Sequence, residues 1–225
     1  MEVRKRICNV LLTLVAFTAS AWEEEHAPSF KMDFAEVKTL SGRSVTNFVK
    51  KVVRDDFAHI FMDEGADASI DFYLDCSEGW SLDLNGDGRD DFIFSIPWNS
   101  MGIWGAMSTV HFIVSDGANG RVENVVNSYY VEKSDLVKIG GKVYFRASDF
   151  WERQFEKSKH NHWVYQVFSF DKNGNMKCAN AEVGCPVPAV TIFYEDQKFK
   201  QIELTAADLE KIAKATEPRT GKYEP

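Results

Sequence analysis

From Ser69 to Asp196 the chain is a train of short runs rich in β-branched and aromatic residues: "SIDFYLDC", "DFIFSIPW", "TVHFIVSD", "RVENVVNSYYV", "DLVKI", "KVYFRA", "HWVYQVFSF" and "AVTIFYED". Runs of this length and makeup favour strands, and the punctuation between them favours tight hairpins. "SDGANGR", "IGGK" and "DKNGNM" supply the Gly and Asn residues that tolerate the left-handed turn conformations of such connections. Strands joined by hairpins pair antiparallel. Nothing alternates strand with helix, so a parallel doubly wound sheet is excluded, and no internal repeat is present.

The two ends of the sequence carry a different period. In "SVTNFVKKVVRDDFAHIFMDEG", residues Val45, Phe48, Val49, Val52, Val53, Phe57, Ile60 and Phe61 recur at helical spacing. Ser44 is placed to cap this amphipathic helix, which ends near Gly65. "TAADLEKIAKA" predicts a second, short helix, capped by Thr205 with Asp208 three residues on. The expectation is an α+β fold: an antiparallel sheet with both helices packed on it. The single domain covers 43–216, preceded by a leader segment at 22–42 and followed by a flexible tail at 217–225.

Residues 1–21 read as a secretory signal peptide. Arg4, Lys5 and Arg6 precede the apolar run Ile7–Ala19, and Ala19-Ser20-Ala21 offers small residues for cleavage. The run is too short to span a bilayer, which takes roughly 20 apolar residues. The expectation is therefore an exported chain, secreted or periplasmic, with no transmembrane segment after cleavage. Its net charge of −8 repels phosphate backbones, which argues against a nucleic-acid partner. Hydrophobic residues make up 44%, enough to fill a core, so disorder is excluded. Three cysteines follow the cleavage point. Cys178 and Cys185 flank the turn-like "ANAEVG" and are placed to form a disulfide, with Cys76 as a rival partner.

"SLDLNGDGRDDFIF", residues 81–94, crowds four aspartates and an asparagine beside an apolar run. With Asp83 at position 1, Asn85 falls at position 3, Asp87 at 5, Gly88 at 6, the Arg89 carbonyl at 7 and Asp91 at 9. Alternate residues of a curled loop turn their oxygens inward, and the glycine permits the sharp reversal. Such a set of hard oxygens suits Ca²⁺, which takes six to eight of them. The alternative is an Asn-Gly and Asp-Gly turn whose acids face water. Position 12, the bidentate Glu of an EF-hand, is Phe94 here, so a calcium-triggered opening of paired helices is not expected. "DKNGN" (171–175) and "DGANG" (116–120) are weaker versions without the later acid, and hairpin turns account for them.

"DLNGDGRDDFIF" resembles the calcium loop of FG-GAP and integrin-type (VCBS-like) repeats. The resemblance covers about a dozen residues and implies a loop between two strands holding Ca²⁺ through Asp83, Asn85, Asp87, Asp91 and the Arg89 carbonyl. Those families repeat the loop around a propeller. Here it occurs once, in a chain too short for several four-stranded blades, so the loop carries over and the propeller does not. A loop supplying this many oxygens leaves little room for catalysis at the ion, which points to a structural role.

Beyond the loop, "PWNSMGIWGAM" (97–107) places Trp98, Met101 and Trp104 in an irregular stretch. These residues form either a candidate ligand surface beside the acidic loop or a crossover buried on the sheet. His160 and His162 stand two apart, a workable metal pair if both lie on one strand, with Glu152 and Glu156 near in sequence. A surface loop entering a strand is the favoured account of them. Signatures of common hydrolases, P-loops and dinucleotide folds are missing. The leading expectation is an exported, calcium-stabilised module that binds an unknown extracellular or envelope ligand without catalysis. The rival is a secreted hydrolase, with carbohydrate as one candidate substrate class, that carries a structural calcium ion.

Overall fold

A computed structural model describes residues 33–40, 42–56, 73–98, 106–152, 154–183, 189–192 and 204–223. Its elements begin with β1 (Asp33–Phe34), β2 (Lys38–Thr39), α1 (Arg43–Asp56), β3 (Glu78–Leu82), β4 (Asp91–Pro97), β5 (Met107–Ser115) and β6 (Arg121–Tyr129). They continue with β7 (Leu136–Ile139), β8 (Lys142–Glu152), β9 (Asn161–Phe170), β10 (Met176–Cys178), β11 (Ala189–Ile192), α2 (Ala206–Ala215) and β12 (Arg219–Lys222). The strands form two six-stranded antiparallel sheets. The first has the order β12-β6-β5-β4-β3-β2. The second runs β1-β7-β8-β9-β10, with β11 also pairing β9.

Every residue of β5 is buried. A strand hidden on both faces needs a layer on each side, and the two layers differ. Val110, Phe112 and Val114 turn one way and meet Leu136, Phe145, Phe168 and Phe170 of the second sheet in the main core. The Phe112 ring centroid lies 4.9 Å from that of Phe145 and 5.2 Å from that of Phe170. Ile113 turns the other way, toward α1, where Val45, Phe48, Val49 and Val52 cover Phe94 and Ile96. Phe48 stacks on Phe94 with centroids 3.9 Å apart. Each large apolar side chain so buried contributes roughly 1.5–3 kcal/mol. α2 covers the second sheet through Ile212, which packs with Trp151, Phe155 and Val164.

The α+β expectation is overturned. The molecule is mainly β, because the sheet's partner layer is chiefly a second sheet. The helices are short attachments: α1 has 14 residues and α2 has 10. The α1 boundary also shifts. Gly42 takes φ +63°, its carbonyl accepts from the Thr46 N–H, and the helix starts at Arg43 with Ser44 inside it. "SIDFYLDC" is not a strand where it is described, since residues 73–76 make a helical turn that buries Tyr73 in the α1 cluster. The leader contributes β1 and β2, one to each sheet. The tail is structured too: all four residues of β12 are exposed, yet they pair with Val122–Val125 of β6. α2 begins as expected, with Thr205 and Asp208 forming a capping box.

Cys178 carries a free thiol whose S–H donates to Asn180 Oδ1 at 3.5 Å at the exposed end of β10; its expected partner, Cys185, lies outside the described residues. The signal peptide, the end of the first helix near Gly65, Met101, Trp104 and Cys185 lie outside the described residues. Among the described residues no helix is long and apolar enough to cross a membrane.

Candidate functional site

The acidic loop joins β3 to β4, whose register pairs Leu82 with Asp91 across its mouth. Its winding follows from side-chain capping of its own backbone. Asp83 Oδ1 accepts from the N–H groups of Gly86 (2.7 Å) and Asp87 (3.1 Å), and Oδ2 accepts from Gly88 N–H (2.8 Å). Asn85 Oδ1 accepts from Asp87 N–H at 3.2 Å, and Asp87 Oδ1 from Arg89 N–H at 2.9 Å. Gly88 holds φ +84°, a conformation in which an L side chain is strained.

Nothing in the local residue pattern foretells that the two weaker relatives of this loop join it. The β5–β6 turn (116–120) and the β9–β10 turn (171–175) close at the same end of the sandwich. Arg89 Nη1 donates to Ala118 O at 2.6 Å, and Lys172 Nζ to Gly86 O at 2.6 Å. The three turns share one device, an aspartate in first position capping amides that follow. Asp116 Oδ1 accepts from Ala118 and Gly120, and Asp171 Oδ1 from Asn173 and Asn175. The fit is close: a methyl group placed on Gly174 would lie 2.9 Å from the Ser115 carbonyl oxygen. Deeper in, Asn124 is fully buried and ties the sheets together. Its Nδ2 donates to Gly174 O at 2.8 Å, and its Oδ1 accepts from Met176 N–H at 2.9 Å.

Asp91 and Asp87 carry the electrostatics. Asp91 is wholly buried, and its two oxygens accept from Leu84 N–H and Ser115 N–H, each at 2.8 Å. Burial pushes its carboxyl up, against the opposing pull of those amides. Asp87 moves the other way, down to about 2, chiefly because the Ser115 hydroxyl donates to Oδ2 at 2.6 Å, with Arg89 adding to the effect. The Arg89 guanidinium lies 2.8 Å from the same oxygen.

Compared with known families, characterised proteins and solved structures, the chain matches none. The reading of the site therefore rests on its own geometry.

The donors suit a hard cation in kind: three carboxylates, an amide oxygen and a backbone carbonyl on alternating residues. Asp83, Asn85 and Asp87 remain within one tight loop, and an ionised carboxylate oxygen that accepts one N–H keeps a second lone pair. Two commitments compete with an ion. Arg89 already sits on Asp87, and Asp91 is clamped between the Leu84 amide of the loop and the Ser115 amide of β5. Among the described residues no three His, Cys, Asp or Glu side chains converge to hold a metal. Asp83, Asn85 and Asp87 thus match a hard cation in donor type, while Asp87 Oδ2 is engaged by the Arg89 guanidinium and the Ser115 hydroxyl.

The remaining candidates separate in space. Trp98, the one described residue of the expected ligand surface, lies at the far end of β4 from the acidic loop, seven residues and about 20 Å of strand away. Its Nε1 donates to Thr109 Oγ1 at 2.9 Å, and its ring packs on the cluster of Met107, Tyr129 and Phe150. The two histidines do not pair. His162, in β9, is fully buried with Nε2 3.0 Å from Ser158 Oγ, while His160 precedes the strand and is exposed. Burial pushes the His162 imidazole down. Glu152 faces solvent at the end of β8, and the Glu156 N–H donates to Asp208.

Proposed function

We propose that the chain is an exported, calcium-stabilised binding module with no catalysis of its own. The observation carrying this is the Asp83 carboxylate capping three successive amides, which keeps the loop wound around alternating oxygens before any ion arrives. Asp83, Asn85, Asp87 and the Arg89 carbonyl would hold Ca²⁺, which supplies charge neutralisation there. The chain's own contribution is the link outward: Arg89 to the β5–β6 turn and Lys172 from the β9–β10 turn. Ordering the loop thus orders the end where the two sheets meet.

A hydrolase would place its acid and base in a cleft. In the cleft of about 350 Å³ beside β8 and β9, Asp149 is the one half-buried carboxylate among the described lining residues and Glu217 is exposed. The larger cleft beside the acidic loop is lined by Asp33, Glu36, Asp83 and Asp171.

Thermal unfolding in calcium and in chelator tests the cation. A ligand at a hundred times its dissociation constant adds about 2.7 kcal/mol, which for a chain of this size raises Tm by about 5–10 °C. Asp87→Ala abolishes that rise. Equal melting temperatures with calcium and with chelator remove the ion from the reading.

A further inference from the structure

Away from the three turns the sheets part around a cleft of about 350 Å³, roofed by the C-terminal end of α2 and the residues leading into β12. Its size suits a small molecule, since ligand pockets run from about 300 Å³ upward. Two polar groups face it from one side of the β8–β9 pair. Gln166 lies opposite Ala147, and Asp149 lies two residues along from Ala147, which makes them diagonal neighbours on that face.

Both lack the same thing. Gln166 is 5% exposed, and its Oε1 is buried with no hydrogen-bond partner among the described residues. Asp149 is held rigid, Oδ1 accepting from Phe150 N–H at 2.8 Å and Oδ2 from Trp151 Nε1–H at 2.7 Å. Those donors are neutral, and no described cation offsets its charge. Lys214, on the roof, is engaged with Glu210 at 2.9 Å. A buried acceptor without a donor and a half-buried carboxylate without a described cation each carry a cost. One positively charged donor relieves both. Val126 and Phe168 supply apolar wall between them and the core, and Arg219 stands exposed at the mouth with no described ion-pair partner.

We propose that this cleft binds a small alkylammonium ligand, its N–H groups donating to the Asp149 carboxylate and to Gln166 Oε1 while its short chain lies on Val126 and Phe168. The ammonium comes either from a simple amine or from an amino acid, whose carboxylate would reach Arg219. This deepens the reading of the chain as a binding module and does not depend on the cation loop at the other end.

The test is calorimetric titration of the full chain with n-butylammonium, 4-aminobutyrate and, as uncharged control, 1-butanol, each run in calcium and in chelator. Saturable binding of the ammonium probes and none of butanol is expected. Asp149→Asn weakens binding at least about tenfold. Gln166→Leu weakens it severalfold and decides the matter if the Asp149 variant does not fold. Arg219→Gln weakening 4-aminobutyrate alone identifies an amino acid as the source; tight butylammonium binding untouched by that change identifies a simple amine. No saturable heat from either ammonium probe up to about 10 mM, or an unchanged Kd in a folded Asp149→Asn chain, overturns the proposal. Amine binding that persists where calcium raises no Tm leaves this site standing and removes the cation. The reverse pattern removes this site alone.

Discussion

At one end of the sandwich, Asp91 is wholly buried with a backbone amide on each carboxylate oxygen; at the other, Gln166 is nearly as buried with no described partner on Oε1. The same contrast holds for the carboxylates as charges. Asp87 has an arginine on it, whereas Asp149 has only two neutral donors. Polar groups that the fold needs are closed off by the fold, because an unpaired one costs about 1–3 kcal/mol. The first end closes its carboxylates with its own amides and an arginine. The second leaves Gln166 Oε1 and Asp149 to the ligand proposed above.

The comparison breaks most sharply at Asp91. Replacing it with Ala strands two buried N–H donors, that of Leu84 in the loop and that of Ser115 at the end of β5. At about 1–3 kcal/mol each, the expected loss is about 4 kcal/mol, read as a fall in the urea midpoint with chelator present so that no ion contributes. A loss below about 1 kcal/mol would mean that the loop end tolerates open polar groups just as the cleft does.

Asn124→Ala probes the same end between the sheets. It leaves Met176 N–H without an acceptor and Gly174 C=O without its donor. A carbonyl left short is tolerated better than an amide, so about 2–3 kcal/mol is expected, less than for Asp91. An Asn124 effect exceeding that of Asp91 would shift the weight of this end from the acidic loop to the contact between sheets.

The turn between β3 and β4 was legible in the sequence because its pattern is local: four aspartates and an asparagine within nine residues, with a glycine where the chain reverses. The strands were legible for the same reason, since alternation and turn chemistry are read within a few residues. What escaped depends on contacts across long separations. Arg89 meets Ala118, and Lys172 meets Gly86, only because two meanders stack. The second sheet escaped because a strand facing a helix and a strand facing another sheet carry the same apolar face. β5 held the available clue, since His111, Thr109 and Ser115 are polar yet buried, as a strand covered on both sides requires. β12 had no such clue. "RTGK" lacks an apolar face and is held through backbone pairing with β6. "SIDFYLDC" misled in the opposite direction, where Tyr73 buries its ring under α1 from a helical turn. The cleft could not be read at all, because Asp149 and Gln166 become neighbours only through the β8–β9 register.

The smallest expected effect is at Asp149, and its pH dependence gives the comparison its sharper form. Burial pushes this carboxyl above the ordinary value of 3.8. A carboxyl raised in the folded state binds its proton more tightly there than in the unfolded chain. Its contribution to stability is therefore fully present below pH 3.8 and is lost as pH rises through the folded pKa. Asp149→Asn removes that titration and the cost of a half-buried charge but leaves one of the Phe150 and Trp151 N–H groups without its acceptor. The two effects oppose one another, so at neutral pH the two proteins should differ by no more than about 1 kcal/mol. Asp91 is also raised by burial, so the slope of either protein alone carries other groups. The difference between them isolates Asp149: wild-type stability minus variant stability should decrease as pH climbs above 3.8 and then level off. Chemical denaturation across that range, without amine, measures it. A difference that stays flat would mean that Asp149 is no more desolvated in the fold than in the unfolded chain, and the contrast between the two ends would then rest on Gln166 alone.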